Sequence, residues 1–453
     1  MERQSRIDRL LRIFSDVRPG EGVTALLLAL NVFMILEAYY VLKPVRESLI
    51  LGQGSAELKS YLSAGQVVVL AFVVPLYGKL VAGFSRRRLI NIVTVFFVAC
   101  LGLFYVLGKA GVPLAIPYFI WIGIFSLMII AQFWSFANDV YTKEEGERLF
   151  PIVGFGASLG AVVGATQAAR LIKIIGVYEL MLVGAALLFL QTLLTNWIDR
   201  RARRGAAPKA TVSGAPSQQD QAIGGRGADV FGLVFRTRYL LLMGIMLLVL
   251  NWVNATGEYI LGAVIRERAA AIVAAGQAGG ATVEAVIGQA YARYFGATNV
   301  ISLLLQLFVV SRVVKHWGVP VGIAILPCIA LLSYNALAFF PMLWAVLSAK
   351  IAENSVDYSL NNTVRNMLFL PCTREQKYSA KQVIDSFFVR LGDVFAAMLV
   401  FVGTTWLALG PRGFALANVI LVVIWLVLAI RIGRRYRELV ATASPISGLS
   451  SDK

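Results

Sequence analysis

Residues 22–42 read GVTALLLALNVFMILEAYYVL, an apolar run of 21 residues whose one acidic or basic side chain is Glu37. About 20 such residues, wound as a helix, cross the roughly 30 Å hydrocarbon layer of a bilayer. Arg3, Arg6, Arg9, Arg12 and Arg18 precede the run and it carries no small-residue cleavage site, so it reads as a start-transfer span and not as a removed signal peptide. Eleven more runs follow, at 61–83, 89–108, 115–140, 150–172, 176–198, 238–263, 290–311, 318–338, 341–364, 383–407 and 412–432. All exceed the roughly 9–11 residues of a barrel strand. A helix also keeps its backbone hydrogen bonds within one segment, as hydrocarbon demands. The expected fold class is an all-α polytopic membrane protein with twelve transmembrane helices.

Composition supports the same class. Of 453 residues, 58% are hydrophobic and 15% charged, with a mean hydropathy of +0.74. A soluble domain has roughly 45–50% and about 25%. The net charge of +17 would suggest nucleic acid in a soluble protein. Here it follows topology. With both termini cytoplasmic, the inner side collects Arg86 to Arg88, Lys143, Arg148, Arg200, Arg201, Arg203, Arg204, Arg312, Lys315, Arg374, Lys377, Arg431, Arg434, Arg435 and Arg437. The outer side keeps scattered cations such as Lys59, Lys109, Arg266, Arg268 and Arg412. Nucleic acid is therefore not an expected partner, whereas the bilayer is. The N-terminus does not resemble a transit peptide, which points to a bacterial inner membrane. One histidine, His316, and three cysteines without metal-ligand spacing argue against a metal, a cofactor, a histidine relay or a disulfide framework.

The expected organisation is a basic cytoplasmic N-terminus (1–21), a six-helix bundle (22–198), a flexible basic linker (199–237), a second six-helix bundle (238–435) and a cytoplasmic tail (436–453). The Ala/Gly-rich stretch 264–289 reads as an external loop holding at most a short helix. The halves repeat weakly. Span two runs into Gly78-Lys79-Leu80 and Arg86 to Arg88, and span eight into Arg312, Lys315 and Gly318. Span four ends Asn138-Asp139-Val140-Tyr141, and span ten carries Asn354, Asp357-Tyr358 and Asn361-Asn362. Two six-span halves in parallel repeat are the pattern of major-facilitator architecture.

Charges inside spans cost roughly 2.5–3.5 kcal/mol each at the bilayer centre on insertion scales, so each calls for a reason. Lys43, Arg46 and Glu47 share one helical face beside Pro44, which suits either inward-pointing phosphate-binding cations or a headgroup-level cluster. Lys350, Glu353, Asn354, Asp357 and Asn361 make one stripe, continued by Arg365; it reads as a substrate or coupling-ion surface, or as an ion-pair seam. Asn251, Asn254 and Glu258 share a face of span seven. Asp385 and Asp393 share one in span eleven, which opens with Lys381. Gly156, Gly160 and Gly164 recur every fourth residue and read as a close helix–helix approach. No set of nucleophile, base and orienting group emerges, so an enzyme is not expected.

Three stretches carry a family resemblance. They are Leu42-Lys43-Pro44-Val45-Arg46-Glu47-Ser48-Leu49; Phe133-Trp134-Ser135-Phe136-Ala137-Asn138-Asp139 with Glu144-Glu145 and Arg148-Leu149-Phe150-Pro151; and Tyr358-Ser359-Leu360, Arg365, Met367, Pro371, Lys377 and Lys381-Gln382-Val383-Ile384-Asp385. Over about 22–435 the chain resembles the nucleotide transporters, the ATP/ADP translocases of plastids and intracellular bacteria. The resemblance implies a twelve-span major-facilitator carrier exchanging nucleotides. It places the family's first-helix basic residue on Arg46 and the one opening helix eleven on Lys381. It also places acidic family positions on Ile122 and Asn254, and a lysine on Ala324, so three charges of the pattern are replaced. That weakens strict ATP/ADP exchange and leaves fold and anion handling intact.

The resulting expectation is a secondary transporter, an antiporter by alternating access, for a nucleotide or related phosphorylated anion. Lys43, Arg46, Asn138, Asn254, Arg365 and Lys381 would bind substrate. Glu37, Glu47, Asp139, Glu258, Glu353, Asp357 and Asp385 would gate or couple. The alternatives are a proton-coupled major-facilitator carrier of another metabolite, and a non-transporting membrane scaffold that retained the fold.

Overall fold

The computed structural model describes residues 17–83, 86–141, 143–205, 227–340, 342–373 and 380–443, and no strand occurs among them. In order the helices are α1 (Gly22–Gln53), α2 (Ala56–Gly83), α3 (Arg86–Lys109), α4 (Ala115–Val140), α5 (Lys143–Ile174) and α6 (Glu179–Gly205). There follow α7 (Gly227–Arg236), α8 (Arg238–Ala274), α9 (Val283–Phe308), α10 (Val310–Phe339) and α11 (Leu343–Val356). A π-helical turn, Asp357–Asn361, leads into α12 (Asn362–Met367). A second π turn, Ile384–Phe388, follows α13 (Lys381–Val383) and leads into α14 (Val389–Thr405) and α15 (Pro411–Ala443).

The described part of every apolar run is mainly helical, although those at 290–311, 341–364 and 383–407 each cross from one element into the next. Among the described residues, ten helices are long and apolar enough to cross a membrane. The runs at 290–311 and 341–364 are helical but fall outside those ten. Their outward faces agree with a hydrocarbon solvent: Phe72, Phe96, Val106, Phe189, Leu332 and Ile420 all stand exposed on helices, where a soluble protein rarely shows large contiguous apolar area.

Three stretches differ from the sequence reading. The expected external loop 264–289 is mostly helix, since α8 runs on to Ala274 and α9 begins at Val283. The charges Arg266, Glu267 and Arg268 end the apolar run, but the alanines beyond them are the strongest helix formers. Within the expected linker, α6 extends to Gly205 and α7 occupies Gly227–Arg236; the remainder, 206–226, lies outside the described residues. So do 1–16 of the basic N-terminus and 444–453 of the tail, whereas 436–443 continue α15.

The chain resolves into two compact units, Met1–Ser213 with Ile265–Asn299, and Gly214–Val264 with Val300–Lys453. In the first, α1 is the hub, and it continues through Pro44 as one helix. Gly156, Gly160 and Gly164 of α5 lie directly on the backbone carbonyls of Ala29, Phe33 and Glu37. A methyl group at any of the three would strike backbone, which cannot rotate away. On another face of α1, Asn31 donates to Thr195 Oγ1 at 2.8 Å, and Gln191 donates back to Asn31 Oδ1 at 3.1 Å. An aromatic column of Tyr118, Trp121 and Phe125 fills the core, with the last two rings parallel within 4° at 5.2 Å. At the start of α1, Arg148 grips Glu21 with two parallel hydrogen bonds of 2.9 and 2.7 Å.

In the second unit α10 is two helices fused at Gly318, whose φ of 74° requires a residue without Cβ. Pro320 follows two residues later. This break divides the segment bearing Arg312, Lys315 and His316 from the apolar run that begins at 318. Gly392 of α14 sits on the Leu248 carbonyl of α8, and Asn418 of α15 donates to the Val253 carbonyl at 3.1 Å.

Two outcomes follow. Replacing Gly160 by Ala should lower the thermal midpoint of the detergent-solubilised protein, by about 1–3 kcal/mol of overpacking, whereas Ala at Gly102, which faces open space, should not. The Arg148 hydrogen bonds hold the Glu21 carboxyl below its ordinary range. A depressed carboxylate stabilises above its unfolded pKa and loses that stabilisation as pH falls through the folded value. Thermal stability should therefore decline through the acidic carboxylate range, and less steeply in Arg148→Ala; equal slopes would exclude the pair as a contributor.

Candidate functional site

In the first unit a group of charges gathers where α1 turns into α2. The link is only Gly54-Ser55, which brings Lys59 of the first turn of α2 back against α1. Glu47 is 0% exposed and is shared between two cations. Arg46 pairs with Oε1, its Nε at 2.9 Å, and Lys59 Nζ lies 2.8 Å from Oε2. Phe119 of α4 covers the Arg46 guanidinium at 5.2 Å. Tyr291 of α9 lies under Lys59, its hydroxyl 3.4 Å and its ring 5.0 Å from Nζ. One turn back on α1, buried Lys43 sits among Phe295, Tyr40 and Tyr39 at 4.1, 5.2 and 5.9 Å. Such cation–π contacts contribute about 2 kcal/mol when desolvated. Lys43, Arg46 and Lys59 thus gather around the Glu47 carboxylate. Just beyond, Ser48 donates to the Glu284 carbonyl, and Gly288 lies against the Ser48 hydroxyl.

In the second unit the two polar stripes read from α8 and α11 face each other. Lys350, 1% exposed, donates to Asn254 Oδ1 at 2.8 Å and to Glu353 Oε2 at 3.2 Å, and lies 3.9 Å from Glu258. Asn354 donates to Glu258 at 3.2 Å, and Tyr334 of α10 donates to Glu353 at 3.1 Å. Gly257 leaves the space that the Tyr334 hydroxyl and Lys350 occupy. Here one cation meets two carboxylates, a formal excess of one negative charge. Below it, Asn361 donates to Asp357 Oδ1 at 2.7 Å across the first π turn, with Arg365 acting on Asp357 electrostatically. π turns recur at functional sites because they break the regular hydrogen-bond ladder.

The remaining expected residues are more dispersed. Glu37 is buried, bonded to Gln167 of α5 beneath Gly164. Asn138 is exposed at the end of α4. Asp139 follows it in α4, and its side chain lies outside the described positions. Lys381 donates to Asn366 at 2.7 Å and lies over Phe369 at 5.7 Å. Asp385 stands in the second π turn with Oδ1 buried. Asn251 turns to α14 instead, donating to Asp393 at 2.7 Å, which Arg390 also holds. Trp134 packs edge-on against Phe133 and Phe150. Ile122 lies in the aromatic core, 1% exposed. Sequence reasoning placed Lys59 among loop cations and missed Tyr291 and Tyr334, whose roles come from helices distant in sequence. A larger cavity, about 690 Å³, opens among Lys109, Lys173, Tyr178, Glu179, Thr282 and Glu284; its two cations and two carboxylates balance.

Long apolar helices that enclose buried ionic clusters define a polytopic helical membrane fold. The model of the TLC ATP/ADP transporter family matches residues 2–108, which include the Lys43–Arg46–Glu47–Lys59 group. The chain is similar to "ADP,ATP carrier protein 1" of Chlamydia pneumoniae, 22% identical over 69% of this chain and 65% of that protein. It is also similar to "ADP,ATP carrier protein 2" of Chlamydia trachomatis, 21% identical over 69% of this chain and 63% of that protein. The matches thus span less than two thirds of those relatives' length. Among solved structures, the nucleoside transporter NupG superposes with a TM-score of 0.63 at 12% identity, covering 92% of this chain and 99% of that one. A POT family transporter superposes with a TM-score of 0.62 at 13% identity, covering 91% and 96%.

Lys350→Met should destabilise the detergent-solubilised protein by about 3–5 kcal/mol, because the buried Glu353 carboxylate loses its counter-ion. The double variant Lys350→Met/Glu353→Gln should recover much of that loss in the same thermal assay; simple additivity would mean that the two side chains do not act as a pair.

Proposed function

We propose that this protein is a secondary transporter that moves a nucleotide or a related phosphorylated anion across the membrane by alternating access, in exchange for a second anion. The observation that carries the reading is the cation-rich group around Arg46, lying within the stretch matched by the ATP/ADP transporter family model. A guanidinium offers a planar fork to two phosphate oxygens, which a point-charge ammonium does not. Phe119 behind Arg46 holds that fork in place. Asn254 and Asn138 would offer amide hydrogen bonds to a base or sugar, with Arg365 and Lys381 as further phosphate ligands. Glu47, Glu353, Asp357 and Asp385 would gate by exchanging partners with these cations. Both termini would face the cytoplasm, and no bond of the substrate would be broken.

The second reading is a major-facilitator carrier of another metabolite coupled to protons. The excess carboxylate beside Lys350 favours it, as does the replacement of family charges at Ile122, Asn254 and Ala324. Proteoliposomes separate the two. Labelled nucleotide should counterflow into vesicles preloaded with unlabelled nucleotide. Arg46→Ala should cut that rate roughly 10- to 100-fold, the loss of one or two charged hydrogen bonds, while Arg46→Lys retains part of it. Wild-type counterflow in Arg46→Ala would remove the site from consideration. Uptake that follows an imposed pH gradient and ignores nucleotide would favour the second reading.

A further inference from the structure

We propose that Lys59 is a phosphate ligand and that the Glu47 carboxylate is a tethered anion occupying the place the substrate's phosphate takes. This deepens the reading above and rests on it.

Lysine is rarely buried without a partner, yet Lys59 is only 6% exposed. It sits where a helix begins, a position at which a side chain could easily reach solvent. Three observations explain its inward course. The two-residue link between α1 and α2 folds Lys59 back onto the outer turns of α1. Glu47 presents one oxygen to Arg46 and the other to Lys59, at 2.8 Å, so a single carboxylate bridges cations from two helices. Tyr291 supplies a hydroxyl and a ring face to the same ammonium from a third helix. Two oxygens spread between a guanidinium and an ammonium reproduce the way a terminal phosphate is held, by a fork on one side and a point charge on the other.

Lys43 stands one turn back on α1, so cations from two helices surround the one carboxylate. A phosphate arriving at Arg46 and Lys59 displaces Glu47, and the carboxylate returns when the phosphate leaves. The exchange of one anion for another keeps Arg46 and Lys59 paired at every stage. Lys59 then discriminates by phosphate charge, because its ammonium meets the terminal group and not the base or sugar.

A purely structural Lys59, pinning α2 to Tyr291, would make a different signature, so binding should be measured against phosphate number. Purified full-length protein in detergent is titrated with ATP, ADP, AMP and inorganic pyrophosphate. Wild type should bind ATP and pyrophosphate more tightly than AMP. Lys59→Met should weaken ATP and pyrophosphate at least tenfold and AMP less than threefold, and Lys59→Arg should restore most of the difference. Glu47→Gln should tighten ATP severalfold and slow exchange, since the returning anion is lost. Where Lys59→Met alone does not fold, the double variant Lys59→Met/Glu47→Gln removes both charges together and should show the same flattened preference. A folded Lys59→Met that keeps the wild-type ratio of ATP to AMP affinity, or loses all four probes in equal proportion, overturns the proposal and leaves the transporter reading standing. Wild-type protein that binds none of the four overturns both.

Discussion

A charge enclosed by hydrocarbon needs an opposite charge at contact distance, and this requirement orders the polar interior of the protein. Glu47 meets it with Arg46 and Lys59. Lys350 meets it with Glu353 and, at longer range, Glu258. Each arrangement forces helices together at set heights: the first ties α1 to α2, the second α8 to α11. Close backbone approach supplies the complementary constraint. The three glycines of α5 allow α1 to lie against it with no side chain between, and the backbone beside Glu37 is part of that contact. Apolar burial cannot supply such register in a lipid solvent, where the tails are as apolar as leucine.

The two buried clusters group charge in opposite ways. The first concentrates cations around one carboxylate; the second concentrates carboxylates around one cation. Where the resemblance puts an acidic residue at Asn254, this chain has an amide that accepts from Lys350. Glu258, one turn further along α8, supplies an acid in its stead.

The helices were legible because length and apolarity suffice to specify a span, and both are visible in one sequence. The stripes at 350–361 and 251–258 were legible for the same reason: helical spacing places Lys350, Glu353 and Asn354 on one face whatever they pack against. Hidden were the contributions of partners far apart in the chain. Tyr334 is known to bond Glu353 only once α10 is placed beside α11. Lys59 read as a loop cation because a charge next to an apolar run marks an end in hydropathy, whereas the helix starts three residues earlier, at Ala56. The same effect truncated α8 at the Arg266-Glu267-Arg268 cluster, where the helix continues to Ala274.

The π turn at Asp357–Asn361 has a consequence for ancestry. One residue more than a regular helix requires is wound into that turn, and each residue advances a helix by about 100°. Everything after it, Arg365 included, is rotated by that amount relative to Lys350. A cousin in which α11 and α12 form one regular helix would present the same faces with one residue fewer between those two positions. Aligning the two by spacing alone would pair noncorresponding side chains downstream, so evolutionary comparison across this stretch has to be anchored on geometry and permit a single-residue gap.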